Sequence, residues 1–331
     1  MRRLALLAAL LLLGAAAAAG WWGYGWYVSP GPLTAPVTLV VNKGAGSEGI
    51  GRQLEAAGIV REPAFAAPSL FTTAARLTSA EGDLKAGEYV FPAGVTPEAV
   101  LALLRSGKVV VHHLTIPEGL SSAEIVALVN RADALQGDVG TAPAEGELFP
   151  ATYNYVWGDT RAGLLDRMRH KMLQTIDQLW AERSPDLPLS DPHDAVILAS
   201  IVEKETGIAD ERAKVAAVFY NRLKLDMKLQ SDPTVIYALT QGREPLGRKL
   251  LKTDLDIDSP YNTYLVKGLP PGAIANPGRA SLAAVLHPAE TDALYFVADG
   301  TGGHVFAATL EQHKSNVDRW HAEEAGRKAK K

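Results

Sequence analysis

The sequence predicts an α+β protein with an N-terminal transmembrane helix, a small αβ unit, and a larger mixed α/β domain around one buried helix. Three observations support this fold class. An uncharged apolar run fills the N-terminus, short strand and helix patterns alternate from residue 37, and a continuous apolar run, Ala195–Val202, ends at the charged triplet Glu203-Lys204-Glu205. A continuous run, unlike a one-sided stripe, is typical of a helix buried on all sides. We therefore divide the chain into residues 1–36, 37–113 and 114–322, followed by a basic, frayed tail at 323–331.

The composition excludes several classes of protein. The 331 residues leave room for two or three domains, and a net charge of −4 with both signs mixed argues against a dedicated nucleic-acid-binding protein. Cysteine is absent, so disulfide bonds and thiolate chemistry are excluded. The eight histidines lack the HExxH spacing of zinc enzymes, and no Walker or Rossmann glycine pattern is present. We expect no metal, no cofactor and no nucleic-acid partner.

The N-terminus predicts a membrane anchor. Arg2 and Arg3 precede the apolar run Leu4–Val28, which at about 25 residues is long enough to span a bilayer. Aromatic residues typical of a membrane interface end the run: Trp21, Trp22, Tyr24, Trp26 and Tyr27. The two arginines favour a cytoplasmic N-terminus and an exported remainder. A cleaved signal peptide is the alternative, because Ala15–Ala19 offers small residues to a peptidase. We expect a retained single-pass anchor.

The next segment predicts a small αβ unit after the linker Ser29–Pro32. Its expected strands and helices are, in chain order, strand Val37–Val41, helix Ile50–Ala57, helix Pro63–Leu77, strand Ala86–Phe91, helix Pro97–Leu104 and strand Val109–Ile116. The unit lacks a cluster of acid, base or nucleophile, which favours a binding or positioning module, with a simple spacer as the alternative. His112 and His113 cannot chelate one metal together, because adjacent strand residues face opposite sides.

A helix and an aromatic loop precede the central helix. Ser121 and Glu124 form a capping box for a helix through Val129. The loop Glu145–Tyr155 is dense in aromatic residues, which either grip sugar rings or plug the core. A long amphipathic helix, Ala162–Ala181, is expected to pack against the central helix.

The central helix carries the candidate catalytic acid. Asp191-Pro192 is a helix start, and Gly207 can end the helix in a left-handed conformation. A carboxylate on the last turn lies against apolar walls and near the negative end of the helix dipole, and both effects raise its pKa. A carboxylic acid that stays protonated near neutral pH is what general acid catalysis needs.

Two carboxylates compete for this role. Glu203 and Glu205 point about 200° apart on the helix, so only one of them can face a given site. Glu205 stacks over Leu198, Ile201 and Val202, a more apolar strip than the one beneath Glu203. The packing therefore favours Glu205, and the alternative is that both are solvated charges at the end of a buried helix.

The rest of the chain predicts helices joined by long loops. After a helix at Asp210–Leu225, the loop residues Gln230, Ser231 and Asp232 lie where their side chains can reach a ligand. Two irregular stretches, Ser259–Tyr264 and Gly268–Gly278, are typical of functional loops. The remaining expected elements are helix Ala280–Leu286, strand Leu294–Ala298, strand His304–Phe306 and helix Ser315–Ala322.

Several blocks in this half of the chain form a recognisable set. They are IVEKET (201–206), NRL (221–223), LQSDPTVIY (229–237), YNTY (261–264), GLPPGAIANPG (268–278) and LYFVADGTGGHVF (294–306). In content, order and spacing they resemble the endolytic murein transglycosylases of the MltG/YceG type, a resemblance that extends from about residue 37 to 320. Ala151 departs from the family, whose loop reads LFPDTY, and this puts in doubt any essential role of that carboxylate.

The resemblance implies a fold and a location. It implies a single-pass anchor in the inner (cytoplasmic) membrane, a LysM-like subdomain at 37–113 and an extracytoplasmic catalytic domain at 114–322. It also implies that the catalytic glutamate is the second of the EKE block, Glu205, in agreement with the packing argument. Peptidoglycan glycan strands are the implied substrate, and peptidoglycan synthases are the expected neighbours.

The implied reaction is cleavage of the MurNAc-GlcNAc bond within a strand. Glu205 protonates the oxygen leaving C1 of N-acetylmuramic acid and then accepts the proton of the C6 hydroxyl that attacks C1, which leaves a 1,6-anhydro end. Substrate binders are expected at Gln230, Asp232, Tyr261 and Asn262, whereas Glu203 is expected to be structural, paired with Arg212 or Lys204. The alternatives are a non-catalytic peptidoglycan-binding scaffold, and a soluble exported hydrolase with a second carboxylate and a cleaved leader.

Overall fold

The computed structural model describes residues 2–63, 69–78, 80 and 82–328, with side chains described up to residue 325. The chain separates into two compact units. The first comprises Met1–His112 with Asn154–Asp159, and the second comprises His113–Tyr153 with Thr160–Lys331. The chain has mixed α and β structure.

The first unit begins with α1, Arg2–Val28, an apolar helix of 27 residues. None of its described residues is buried by the protein. In length and composition α1 suits a membrane span, as does a signal sequence at this position. Past its end, the Gly31 backbone N–H donates to the Val95 carbonyl at 3.1 Å, and on α1 the Trp26 indole N–H donates to the Arg61 carbonyl at 2.8 Å.

The rest of the first unit packs three helices against a strand pair. Its elements are β1 (Val37–Val41), α2 (Ser47–Ala56), α3 (Leu70–Leu77), β2 (Gly87–Phe91) and α4 (Pro97–Ser106). β1 and β2 are antiparallel, with Val37 opposite Phe91 and Val41 opposite Gly87. Phe71, Tyr89 and Phe91 are fully buried in the core.

Helix α3 starts later than predicted. Pro63 is not helical, residues 64–68 lie outside the described part of the chain, and α3 begins at Leu70. The reason is a cap supplied from outside the helix. The Glu62 carboxylate accepts the backbone N–H groups of Leu70 and Phe71 at 2.8 and 2.9 Å, and Ser69 caps Thr72.

The chain also forms a second strand pair. It is formed by β3 (Val111–Thr115) and β4 (Thr152–Val156). In the first unit, His112 Nε2 lies 2.5 Å from Glu88 Oε2, and its ring stacks on Tyr155.

The second unit is a helical assembly with one hairpin. Its elements are α5 (Ser122–Arg131), α6 (Arg161–Ala181), α7 (Pro192–Glu205), α8 (Arg212–Lys224), α9 (Asp232–Thr240), α10 (Arg279–Leu286), β5 (Tyr295–Ala298), β6 (His304–Ala307) and α11 (Leu310–Lys328), with short 3₁₀ turns at Ala209–Glu211 and Lys252–Asp256. The helix predicted at Ser315–Ala322 is thus longer at both ends, and the tail expected to fray from 323 is helical to Lys328. Residues 329–331 lie outside the described part.

Helix α7 lies at the centre of this unit. All residues from Ala195 to Val202 are buried, and α7 packs against α6, α8, α9 and α10. The Asp191 carboxylate caps its start by accepting the N–H groups of His193 and Asp194. The buried Ser200 hydroxyl donates to the Ile197 carbonyl and accepts the Ile274 N–H, which ties the loop before α10 to the helix.

A buried asparagine joins the other loops of the unit. The Asn276 amide group donates to the Leu120 carbonyl and Ser122 hydroxyl at 3.1 Å and to Glu145 at 3.3 Å. Its carbonyl oxygen accepts the Leu148 N–H at 2.8 Å. Asn276 is fully buried, so water cannot replace these partners if the side chain is lost.

We therefore expect Asn276→Ala to lower the free energy of unfolding by about 2 to 4 kcal/mol, since it leaves several buried partners unpaired. Urea unfolding of the full-length protein in detergent measures the loss. Asn130→Ala, at an exposed position of α5, is the control and should change stability by about 0.5 kcal/mol or less. Equal effects of the two substitutions would contradict this account of Asn276.

Candidate active site

An open pocket of about 450 Å³ lies at the C-terminal end of α7. Residues from α7, α8, α9, the following loop and the β5–β6 hairpin line it, among them Glu205, Arg222, Gln230, Asp232, Tyr264 and His304. The pocket therefore brings together side chains from well-separated parts of the sequence, at the end of the most buried helix.

Glu205 forms one wall of this pocket. It is the last residue of α7, and its side chain keeps partial exposure because it faces the open space. Burial of the carboxyl group raises the pKa of Glu205 from 4.5 to about 7. The hydrogen bond from Ser231 opposes this rise, and the negative charge of Asp232 adds to it. The protonated form of Glu205 is therefore present near neutral pH.

Ser231 fixes the orientation of that carboxyl group. Its hydroxyl donates to Glu205 Oε1 at 2.5 Å. Ser231 is itself buried, and its backbone N–H donates to the Thr263 hydroxyl at 3.0 Å. The Thr263 and Thr234 hydroxyls lie 2.8 Å apart, and Thr234 also donates to the Ser231 carbonyl at 2.7 Å. A closed polar network beneath the pocket therefore sets the position of the Ser231 hydroxyl.

A second acid lies on the pocket wall. Asp232, the first residue of α9, accepts a hydrogen bond from the Tyr264 hydroxyl at 2.6 Å. Burial is the main cause that raises the pKa of Tyr264, and its bond to Asp232 adds to the rise. Both residues present polar atoms to the pocket while bonded to each other.

Arg222 supplies a positive charge to the pocket. Its Nε donates to the Leu294 carbonyl at 2.7 Å, and its Nη1 donates to the carbonyl of Leu229 at 2.8 Å and to Gln230 Oε1 at 3.3 Å. Gln230 has a positive φ of 53°, an uncommon conformation for a residue with a side chain. The Arg222 contacts and the buried Ser231 that follows hold this turn in place.

His304 also lines the pocket, and it is bonded to the carboxylate of Glu211. His304 Nδ1 lies 2.7 Å from Glu211 Oε2, and the His304 backbone N–H donates to Glu211 Oε1 at 2.8 Å. Burial acts to raise the pKa of Glu211, but these bonds together outweigh burial and hold it below its usual value. The His304 ring packs edge-on against Phe296 at 5.3 Å. The bond to Glu211 leaves Nε2 as the ring nitrogen available to a ligand.

Glu203 lies on a different face of α7. Its Oε2 accepts the Gly278 backbone N–H at 3.0 Å, while Lys204 donates to the Gly119 carbonyl at 3.1 Å. The partner of Glu203 is therefore a backbone group, not the Arg212 or Lys204 side chain expected from the sequence. The helix geometry thus separates a structural glutamate from one that faces a pocket.

The structure brings together only part of the predicted binding set. Gln230 and Asp232 line the pocket with Glu205, whereas Tyr261 lines a different cavity. Asn262 is fully buried, where its amide donates to the Leu255 and Ile257 carbonyls at 2.9 Å. A buried side chain with these partners cannot reach a ligand, so Asn262 shapes the turn instead.

Sequence reasoning missed Arg222, Tyr264 and His304 as pocket residues, and it missed Glu211 as the partner of His304. Tyr264 and His304 fall inside the YNTY and GGHVF segments, and Arg222 is the central residue of NRL, so the blocks contained the signal. In the part of the chain that the structure describes, no group of three or more His, Cys, Asp or Glu residues is arranged to hold a metal ion.

Comparisons with known proteins bear on this site. The model of the YceG-like family matches residues 39–319. A Bacillus subtilis protein named endolytic murein transglycosylase is 41% identical over 178 residues, which cover 54% of this chain and 48% of that protein. A protein of the same name from Streptococcus pneumoniae D39 is 32% identical, covering 85% of this chain and 58% of its own length. The chain thus spans about half the length of the curated relatives it matches.

A solved structure is also similar. A crystal structure of a YceG-like protein from Listeria monocytogenes superposes with a TM-score of 0.52 at 30% identity. The match covers 85% of this chain and 98% of that one.

The raised pKa of Glu205 has a consequence for stability. A carboxyl group with a pKa of 4.5 unfolded and about 7 folded favours the folded state at low pH, and this contribution is lost as pH rises through about 7. Above pH 8 the ionised group destabilises the fold by up to roughly 3 kcal/mol. We therefore expect Glu205→Gln to be more stable than the unmodified protein at pH 8.

Urea unfolding at pH 8 and pH 4 measures this effect. The advantage of Glu205→Gln should disappear at pH 4, where both side chains are uncharged. Glu182→Gln, at an exposed position after α6, is the control and should show no such gain. A destabilised Glu205→Gln protein at pH 8 would refute the assignment of a buried, raised-pKa carboxyl group.

Proposed function

Because the chain belongs to the YceG-like family, we propose that it is an endolytic murein transglycosylase that cleaves the bond between N-acetylmuramic acid and N-acetylglucosamine within peptidoglycan strands. The proposal depends chiefly on one observation. A half-buried glutamate, whose pKa is raised to about 7, lies on the wall of an open pocket in the region that the family shares. Such a group can give and take a proton at neutral pH.

In the proposed reaction Glu205 acts first as an acid. It donates its proton to the oxygen that leaves C1 of N-acetylmuramic acid, and the C1–O bond breaks. It then acts as a base and accepts the proton of the C6 hydroxyl of the same sugar, whose oxygen bonds to C1. The proton that Glu205 takes from the C6 hydroxyl replaces the proton that it gave to the leaving oxygen. The product end is therefore 1,6-anhydro, and no water is consumed.

The surrounding residues suit this sequence of proton transfers. The Ser231 hydroxyl engages Oε1 of Glu205, so Oε2 is the oxygen that we assign to proton exchange. The positive charge of Arg222 offsets part of the cost of the ionised form. We assign Gln230, Asp232 and His304, which line the pocket, to binding of the hydroxyl and acetamido groups of the sugars.

A hydrolase would need a second carboxylate that activates water or attacks C1. Asp232 also lies on the pocket wall, but its Oδ1 already accepts the Tyr264 hydroxyl at 2.6 Å. We assign Asp232 and Tyr264 to substrate binding, and the type of product end discriminates the two reactions.

The proposed location is the cytoplasmic membrane. Helix α1 would anchor the chain with Arg2 and Arg3 on the cytoplasmic side, so that the catalytic part acts on peptidoglycan outside the membrane. In that position the enzyme would cut strands as the synthases extend them and so end their elongation. We propose residues 37–113 as a LysM-like unit that positions the enzyme on its substrate.

Loss of the acid should abolish cleavage. We expect Glu205→Gln to lower the rate of strand cleavage about 100- to 10,000-fold, because the leaving oxygen is no longer protonated. Mass spectrometry of the muropeptides, after incubation of the detergent-solubilised full-length protein with peptidoglycan, measures the anhydro ends. Glu203→Gln is the matched control, since it is the same substitution two residues away on a different face of α7.

The other possible outcomes of this experiment identify a different reaction or a different catalytic residue. Hydrated reducing ends from the unmodified protein would identify a hydrolase, and intact strands would identify a non-catalytic scaffold. Anhydro ends at an unchanged rate with Glu205→Gln would move the catalytic role to another residue.

The Ser231 hydroxyl should set the pH range of activity. The hydrogen bond from Ser231 stabilises the ionised form of Glu205 and lowers its pKa, so Ser231→Ala should raise that pKa further. The acid then stays protonated to higher pH, and we expect the basic limb of the pH–rate profile to move upward from about pH 7. A basic limb at an unchanged pH would contradict the coupling of Ser231 to Glu205.

A further inference from the structure

A second cavity, larger than the first, lies elsewhere in the same unit. Its volume is about 650 Å³, and it is formed by α5, the loop before β4, the start of α7, the end of α9 and the loop before α10. Tyr237, Tyr261 and Glu145 are the side chains on which its chemistry depends, and Ala123, His193 and Arg243 also line it. Neither the proposed reaction nor the hydrogen bonds beneath Glu205 use this cavity.

The aromatic wall of the cavity consists of two tyrosines in contact. The ring centroids of Tyr237 and Tyr261 lie 4.8 Å apart with the planes tilted by 53°. Pro271 and Ala273 continue this wall with apolar surface. Two aromatic rings beside apolar neighbours suit a ligand that has both apolar faces and polar groups, as a sugar ring does.

The protein already engages one oxygen of the acid in the cavity. Glu145 Oε2 accepts the Ser122 N–H at 2.8 Å and the Asn276 amide at 3.3 Å. Burial is the main cause that raises the pKa of Glu145, despite the hydrogen bonds from Ser122. Because burial disfavours its charged form, Glu145 suits a neutral, hydrogen-bonding ligand better than an ammonium group.

Two helices set the distance from this cavity to Glu205. On α9, Asp232 lines the Glu205 pocket and Tyr237 lines the second cavity, five residues or about 8 Å further along the axis. On α7, His193 lies twelve residues from Glu205, or about 18 Å. The lining residues of the two cavities are therefore separated by distances that a chain of several linked sugars can span.

From these observations we infer that the second cavity binds the N-acetylated glycan strand at a distance from the bond that is cut. This inference rests on the proposed function and adds a requirement to it. A strand must be long enough to occupy both cavities to be bound well. The second cavity then determines which strands the enzyme selects by length, and Glu205 determines the chemistry.

The test fills the cavity without touching the catalytic pocket. Ala123 is exposed on α5, so Ala123→Trp places a large side chain in the cavity without disturbing the core. Ala181→Trp, exposed at the end of α6, is the matched control. The probe is a hexamer of β-1,4-linked N-acetylglucosamine, titrated by calorimetry into full-length Glu205→Gln protein in detergent.

We expect Ala123→Trp to weaken hexamer binding about tenfold or more and Ala181→Trp to leave it unchanged. With Glu205 intact, Ala123→Trp should raise KM for long glycan strands and leave kcat unchanged, because a remote site binds substrate and transition state alike. Short strands that fill only the Glu205 pocket should be cut equally by both proteins.

Equal hexamer binding by the Ala123→Trp and Ala181→Trp proteins would overturn the inference, whether or not the enzyme cleaves. So would an Ala123→Trp protein that loses binding of a synthetic stem peptide but not of the hexamer, since the cavity would then be a peptide site. If the protein with Glu205 intact yields no anhydro ends, the proposed function fails, and hexamer binding still decides the role of the cavity.

Discussion

The rest of the site depends on the burial of the Glu205 carboxyl group at the end of α7, whose central residues are all buried. Residues Ala195–Val202 are all covered by neighbouring helices, so α7 cannot rotate or slide without exposing apolar surface. Its last residue, Glu205, is therefore held where protein surrounds the carboxyl group on most sides. Burial raises the pKa of Glu205 to about 7.

A polar layer beneath the pocket makes this position specific. Burial raises the pKa of the carboxyl group but does not fix its orientation. The Ser231 hydroxyl fixes that orientation, because it donates a hydrogen bond to one carboxyl oxygen, Oε1. Thr234 and Thr263 satisfy the other polar groups of that turn, and fully buried Asn262 holds the loop from which Thr263 comes. When each buried polar group has a hydrogen-bond partner, the turn is held in a single geometry. Many of these residues therefore support the pocket from beneath and do not line it.

The sequence predicted the elements of the site better than their contacts. A continuous apolar run followed by charged residues predicted the position of α7, and packing on that helix favoured Glu205 over Glu203 as the acid. The family resemblance of the motif blocks is confirmed by the comparisons. The pairing of His304 with Glu211 joins residues 93 apart, which no local pattern encodes. Asn262 and Tyr264 looked alike as loop residues, yet the turn buries the first and directs the second to the pocket. The periodicity of apolar residues indicates the buried face only of helices and strands. It therefore does not predict which loop side chains are buried.

A helix buried along its length has only its two ends available for chemistry, and α7 has a cavity at each. Glu205 at one end faces the smaller pocket, and His193 in the first turn of the other lines the larger one. The intervening turns are rigid, so the separation between the two cavities cannot change without disrupting the core. The segment Tyr261–Tyr264 repeats this arrangement on a smaller scale, with its two tyrosines in different cavities and two buried residues between them. If the chain acts on a glycan strand as proposed, this fixed distance between the two cavities would determine where along the strand the cut falls.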